Sequence, residues 1–337
     1  MSILVTGGAG YIGSHMVLSL LENDFDVVVL DNLSNSSVES IKRISEISGR
    51  KCVFVPGDIR DKELVKNLLI ENEVSDVLHF AGLKAVGESV EKPIEYYENN
   101  VGGTLSLCEA MNQVGVRRLV FSSSATVYGD AERMPIDEST PTGNPSNPYG
   151  RSKLMVEEVL NDLVVSDSSW SIALLRYFNP VGAHVSGRIG EDPQGPPNNL
   201  VPYIAQVAVG RRDFLSVYGN DYPTIDGTGV RDYIHVSDLV DGHLAAMKKI
   251  SESPGTGVWN LGTGCGVSVL EMIRAFEQTS GKKIPYRFVD RRKGDVAECW
   301  VNPSKAESDL GWKAKNNIFD MVRDTWNWQV KNPNGYS

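Results

Sequence analysis

A chain of 337 residues, 41% hydrophobic and 23% charged, has the size and make-up of a soluble enzyme with two domains or one large α/β domain carrying an appendage. Its net charge of −10, from 33 Lys+Arg against 43 Asp+Glu, argues against nucleic acid or an anionic membrane as partner. A phosphorylated substrate would then need basic groups gathered locally. No apolar run approaches the roughly 18 residues of a membrane span, and the chain opens on Ile3-Leu4-Val5 with no signal-peptide pattern. Four scattered cysteines (Cys52, Cys108, Cys265, Cys299) and five histidines without HxxxH or HExxH spacing point to reduced thiols in a cytoplasm and to no metal.

The first half alternates short apolar runs with helical patterns. Ile3–Thr6, Val27–Leu30, Cys52–Val55, Val77–Phe80, Leu119–Ser122 and Ile172–Tyr177 read as strands buried on both faces of a parallel sheet. Between them, Ile12, Met16 and Leu20, and later Leu64, Val65, Leu68 and Leu69, recur at helical spacing. That alternation predicts βαβ units and a doubly wound, Rossmann-type sheet. Residues 179–200 are rich in Gly, Pro, Asn and Asp and are expected to be irregular rather than sheet. The shorter elements beyond them suit a smaller α/β domain over the carboxyl edge of the sheet. The expected division is 1–180 for the dinucleotide-binding domain and 181–337 for the substrate domain, with a segment near 234–250 returning to the first. No repeat or low-complexity linker separates the two, so one rigid body is expected.

Directly after the first strand stands Gly7-Gly8-Ala9-Gly10-Tyr11-Ile12-Gly13. Here Gly7 allows a tight turn, Gly10 lets backbone approach a pyrophosphate, and Gly13 lets the helix pack close to the strand. The pyrophosphate would sit at the positive helix N-terminus. Asp31, ending the second strand, can accept from ribose hydroxyls but would repel a 2′-phosphate, which favours NAD over NADP. By the same logic Asp58-Ile59 would face the adenine, and Phe80-Ala81-Gly82 would border the nicotinamide half.

The second constellation is Ser124 with Tyr149 and Lys153. A spacing of four puts Tyr149 and Lys153 on one helix face, and Asn147-Pro148 supplies an N-cap and first helical position. A phenol with a reference pKa near 10 is a poor base at neutral pH. A neighbouring ammonium and a positive nicotinamide ring would favour phenolate, and a lowering of about 3 units needs about 4 kcal/mol. Alone, such a pair reads as a solvated helix face. Behind a complete dinucleotide fingerprint it reads as a catalytic base with its tuning cation, with Ser124 placed to relay the proton.

Longer blocks carry a family resemblance over essentially the whole chain. Val5–His15, Phe80–Ser89, Ser122–Gly129, Leu175–Pro180 and Gly229–Val236 resemble the UDP-glucose (UDP-galactose) 4-epimerases, extended short-chain dehydrogenase/reductases. The resemblance implies Tyr149 as base, Lys153 as its tuner and ribose ligand, and Ser124 on the proton path. Around NAD it implies Gly7, Gly10, Tyr11, Ile12, Gly13, Asp31, Asn32, Asn35, Ser36, Asp58, Ile59, Phe80, Ala81, Gly82, Lys84, Asn99, Ser122 and Tyr177. Around the UDP-sugar it implies Ser124, Thr126, Phe178, Asn179, Asn199, Leu200, Leu215, Tyr218, Arg231, Arg292, Asp295 and Cys299. Arginine suits bidentate phosphate contact, although Arg291-Arg292-Lys293 without the resemblance would read as a solvated cluster.

The implied reaction is reversible C4 epimerisation of a UDP-hexose through a 4-keto sugar with NAD kept bound. The resemblance also implies a homodimer serving galactose metabolism or polysaccharide biosynthesis. In Gly294-Asp295-Val296-Ala297-Glu298-Cys299-Trp300 the cysteine stands where members restricted to glucose and galactose carry tyrosine. A recessed wall there would admit UDP-GlcNAc and UDP-GalNAc, unless Trp300 fills the space. Two rivals remain. A nucleotide-sugar 4,6-dehydratase would need an Asp-Glu pair where this chain has Ala125-Thr126. A non-catalytic dinucleotide sensor would have no use for the Ser124, Tyr149 and Lys153 set.

Overall fold

The computed structural model describes residues 2–336 except 196, 253, 293 and 294. Lys293 and Gly294, each part of a block singled out above, therefore lie outside the described residues. Six strands come in the first half: β1 (Ser2–Thr6), β2 (Asp26–Asp31), β3 (Val53–Pro56), β4 (Val74–His79), β5 (Arg118–Ser122) and β6 (Ser171–Tyr177). Seven follow: β7 (Asn179–Val181), β8 (Leu215–Tyr218), β9 (Val230–His235), β10 (Gly255–Leu261), β11 (Gly266–Ser268), β12 (Tyr286–Val289) and β13 (Glu298–Cys299). One seven-stranded sheet runs β10-β6-β5-β4-β1-β2-β3, parallel at every pairing. This is the doubly wound α/β fold expected. After β3 the chain crosses back to lay β4 beside β1, so the switch point opens at the carboxyl ends of β1 and β4, where such sheets bind ligands.

The helices form because their apolar residues recur on one face and their ends are capped. Met16, Val17, Leu20 and Leu21 of Tyr11–Glu22 are buried against one face of the sheet. There they share a core with Val27, Val29, Val120 and, from the second half, Leu239, Val240 and Leu244. The other face is covered by Val65, Leu68, Leu107, Met111, Val156 and Leu160. Full burial of one such side chain contributes about 1.5–3 kcal/mol, so these two layers hold the sheet edge rigid. A third core, with Val201, Ile204, Val217, Met272, Phe276, Met321 and Val322, belongs to the remainder of the second half.

Three departures from the sequence reading concern strands. The seventh strand of the main sheet, β10, was not anticipated. It begins Gly255-Thr256-Gly257 and lies at an edge, so it carries no continuous apolar run. Asn179–Val181, expected to be irregular, forms β7 and pairs in parallel with β9, because the chain leaves the main sheet there and joins a small one of β11, β9, β13 and β7. In addition β3 is half exposed rather than buried on both faces, since it is the other edge strand.

Candidate functional site

The glycine turn after β1 is built for close approach. Gly7 adopts φ 70, a left-handed conformation natural to glycine. A Cβ there would lie 2.6 Å from the Ala81 nitrogen. At Gly13 it would lie 2.1 Å from the Gly7 oxygen. Turn, helix and the loop after β4 are thus packed backbone to backbone. Gly10 caps the helix Tyr11–Glu22 with no side-chain hydrogen bond, and the first turn holds no acid. An uncapped helix N-terminus over a glycine cradle fits a pyrophosphate. Half-buried Tyr11 and Ile12 open the helix, and the Tyr11 hydroxyl donates to the Gly182 oxygen at 2.7 Å.

Asp31, 8% exposed, accepts from Ala9 N at 3.0 Å, Leu33 N at 2.9 Å and Ser36 Oγ at 2.8 Å. A carboxylate offers about four acceptor directions, so one remains for a ligand hydroxyl. Asn32 and Asn35 are exposed beside it, and Asn32 donates to Asp58 Oδ2 at 3.0 Å. The Arg60 side chain, bonded to the same carboxylate, holds Asp58 well below the usual carboxylate range. Ile59 is 5% exposed and part of the core, so only its backbone is free to meet a ligand. Across the switch point Phe80 stacks on His243 at 4.8 Å. A Cβ on Gly82 would lie 3.3 Å from Asn100 Oδ1 and 3.8 Å from Lys153 Nζ.

Tyr149 and Lys153 ride on the helix Pro148–Ser166, capped by Asn147, whose Oδ1 accepts from Gly150 N at 2.9 Å. Lys153, 6% exposed, donates to the Ser122 oxygen at 2.7 Å and lies 4.8 Å over the Phe121 ring. Burial lowers it from the ordinary 10.5 to about 8, and Glu157 opposes. Half-buried Tyr149 is raised above the ordinary phenol value by burial, with the Ser124 side chain opposing. The lowering expected from Lys153 and a nicotinamide ring together is not found in the protein alone, where burial is the larger effect on Tyr149. Ser124 caps the short helix Ala125–Tyr128 and accepts from Thr126 Oγ1 at 3.0 Å. The hydroxyls of Ser122 and Tyr177 are hydrogen-bonded to each other.

Sequence reasoning missed three connecting side chains. Asn100, in the π-helical turn Tyr97–Gly102, accepts from Leu83 N at 2.8 Å and donates to Leu83 O and Ser152 Oγ, both at 3.0 Å. It ties the Gly82–Lys84 loop to the Tyr149 helix. Asn99, the neighbour expected to act, donates to Asn100 at 3.0 Å. Glu191 accepts from Lys84 at 3.2 Å and Asn199 at 3.1 Å, joining a cofactor-side residue to a substrate-side one. Glu157, bonded to Ser123 and Arg176, lies four residues after Lys153, a spacing that was readable.

The remaining candidates fall into groups. Arg231 Nη2 faces Asp295 Oδ1 at 3.6 Å, and Arg231 pairs in register with Cys299. Arg292, exposed, stands 3.9 Å over the exposed Tyr218 ring. Asn179, exposed, starts β7, and Asn199 precedes half-buried Leu200 at the start of the helix Leu200–Ala208. Phe178 and Leu215 are buried at 5% and 3% exposure, each within a core cluster. Cys299 packs beside Val127, Ile136 and Phe178, and burial raises its thiol to about 11. Trp300 follows strand β13, and a Cβ on Gly266 would lie 3.3 Å from it.

Comparison with known proteins follows the same line. A family model described as GDP-mannose 4,6 dehydratase matches residues 4–325. The UDP-glucose 4-epimerase of Bacillus subtilis is 60% identical over 336 residues, spanning 100% of this chain and 99% of the relative. That of Homo sapiens is 56% identical over 340 residues, spanning 99% and 98%. The structure of UDP-glucose 4-epimerase from Bifidobacterium longum in complex with NAD+ and UDP superposes with a TM-score of 0.97 at 54% identity, covering 99% of this chain and 100% of that one. With 60% and 56% identity to these relatives over nearly the whole of each chain, the chain belongs to the UDP-glucose 4-epimerase family.

Proposed function

We propose that the protein interconverts UDP-glucose and UDP-galactose by reversible inversion at C4, keeping NAD bound through the cycle. The observation that carries this reading is that the Ser124 side chain acts on Tyr149 while Lys153, on the same helix as Tyr149, reaches the Ser122 carbonyl at the carboxyl end of β5. Gly7, Gly10 and Gly13 would admit the pyrophosphate, Asp31 a ribose hydroxyl, and Lys153 the nicotinamide ribose. Bound NAD supplies reversible uptake of the C4 hydride, so that a 4-keto sugar can be reduced again on its other face. Tyr149 takes the proton from the 4-hydroxyl and later returns it, with Ser124 in the relay. Lys153, mostly protonated below about pH 8, keeps a positive charge near the reacting oxygen.

In an acidic protein the uridine diphosphate needs its own cations, and Arg231 and Arg292 are suited to it, with Asp295, Asn179, Asn199 and Tyr218 around them. Firm grip on the nucleotide and a loose grip on the hexose would let the keto sugar turn over. Residues 1–180, with the helix Val236–Ile250 and β10 returning to them, form the NAD-binding part on this reading, and the rest of 181–337 the UDP-sugar part. The reading extends to a cytoplasmic homodimer, which four free cysteines suit. It also extends to UDP-GlcNAc and UDP-GalNAc, since Cys299 leaves out a phenol ring at that position. A 4,6-dehydratase is not favoured, because Ala125 and Thr126 follow Ser124 and neither can act as acid or base.

Tyr149→Phe tests the reading. Turnover of UDP-galactose should fall by about 10²–10⁴ while UDP binding by calorimetry is retained. Turnover near that of the wild type would remove Tyr149 from the role of base.

A further inference from the structure

The residue that joins the catalytic elements to one another is a buried acid outside the catalytic set. Glu157 is 2% exposed and lies four residues beyond Lys153 on the same helix, so the two side chains share a face. It accepts from Ser123 Oγ at 2.5 Å. Arg176, 7% exposed on β6, grips the same carboxylate with Nη2 at 2.6 Å and Nε at 3.0 Å. The position of Ser123 is what gives these contacts their reach. On one side of it Ser122 offers its carbonyl to Lys153 and its hydroxyl to Tyr177. On the other side stands Ser124, the side chain acting on Tyr149. One carboxylate thus pins the turn after β5, the end of β6 and the helix of Tyr149 and Lys153.

We propose that Glu157 is a positioning residue for the epimerase reaction, fixing the Ser122–Ser124 turn and keeping Lys153 in its charged form; the inference rests on the role of Lys153 proposed above. Burial works against the ammonium, and Glu157 is the group opposing it. In the protein without ligands the other titratable groups around Lys153 supply no negative charge in the neutral range. Tyr149 on its own helix and Tyr177 on β6 are phenols raised by burial. His79 on β4, bonded to Thr6 and Thr104, is lowered to about 3 and stays neutral. Arg176 is cationic, so it tempers the field of Glu157 without replacing it.

Glu157→Gln keeps the shape and an acceptor for Ser123 but removes the charge. Arg176→Met keeps the charge and removes its counter-ion. In NAD-loaded enzyme the alkaline limb of kcat should move down by about one pH unit in the first variant and up in the second, by the change in field at Lys153. A purely structural role would lower the amplitude in both and leave the limb in place, and that result would overturn the proposal. If either variant fails to fold for want of its buried partner, Ser123→Ala serves in its stead. It breaks only the link to the turn, and kcat should fall about tenfold with UDP affinity unchanged; wild-type kcat would equally overturn the proposal. Lys153→Ala separates the two readings. If it is as active as wild type, the role of Lys153 itself fails. If it is inactive while Glu157→Gln keeps the wild-type profile, only the assignment to Glu157 fails.

Discussion

Lys153 carries a charge that the fold disfavours and the chemistry needs, and pH separates the two. At 6% exposure its ammonium is lowered from 10.5 to about 8, burial being the larger cause and Glu157 opposing. In the unfolded chain it titrates at the ordinary value. Between pH 8 and 10.5 the unfolded state therefore holds a proton that the folded state has released, and stability rises with pH across that window. The rise is about 1.4 kcal/mol per unit, or about 3 kcal/mol in all. Below pH 8 both states are protonated and the full cost of burying the charge is present. Lys153→Met removes this titration. It also removes the hydrogen bond to Ser122 and the contact with Phe121, losses that vary little with pH. The unfolding free energy of wild type relative to the variant should thus climb by about 3 kcal/mol from pH 8 to 10.5. Urea titrations of both proteins stripped of NAD, at half-unit steps, measure it. A difference that stays flat over the window would refute the buried, charged lysine on which the tuning of this site depends.

Gly13→Ala should give protein purified with little bound NAD and about 1–3 kcal/mol less stable. Its Cβ would meet the Gly7 oxygen at 2.1 Å and the Gly8 Cα at 2.8 Å, both backbone; extraction of a full complement of NAD would show that the turn is not the cradle. Cys299→Tyr should cost UDP-GalNAc turnover at least about tenfold while sparing UDP-galactose, because overpacking harms only the substrate that needs the room. Product analysis on both sugar pairs decides it, and wild type inert toward UDP-GalNAc would leave the narrower substrate range.

The parts of the fold legible in the sequence were those set by local rules. Ile3–Thr6 and Leu119–Ser122 are continuous apolar runs because both faces of their strands are covered, whereas β10, with two glycines in its first three residues at a sheet edge, leaves no such trace. Tyr149 and Lys153 were found by a spacing that any helix imposes. Asn100 and Glu191 were not, since their importance lies in partners 17 and 107 residues away through Leu83 and Lys84, and no periodicity encodes such pairings. Glu191 also meets Asn199, 8 residues away, in a stretch with no helix or strand period to predict it.

The same division between local and tertiary causes governs the chemistry. The helix supplies the spacing of base and cation, but burial, a tertiary effect, drives both toward their neutral forms, raising Tyr149 and lowering Lys153. Left to burial alone the site would hold a neutral phenol and a weakened ammonium, a poor arrangement for removing a hydroxyl proton. Two features of the chain work the other way: the Ser124 side chain against Tyr149, and the Glu157 carboxylate against the loss of charge on Lys153. Neither lowers the phenol below its ordinary value in the protein alone. The remaining stabilisation of phenolate must therefore arrive with the ligands, and the positive nicotinamide ring is the one cation that the proposed cycle brings to that edge of the sheet. On the proposed cycle the phenol is ionised, and so available as a base, when NAD is seated in its oxidised form, which ties proton removal to the moment when the C4 hydride has somewhere to go.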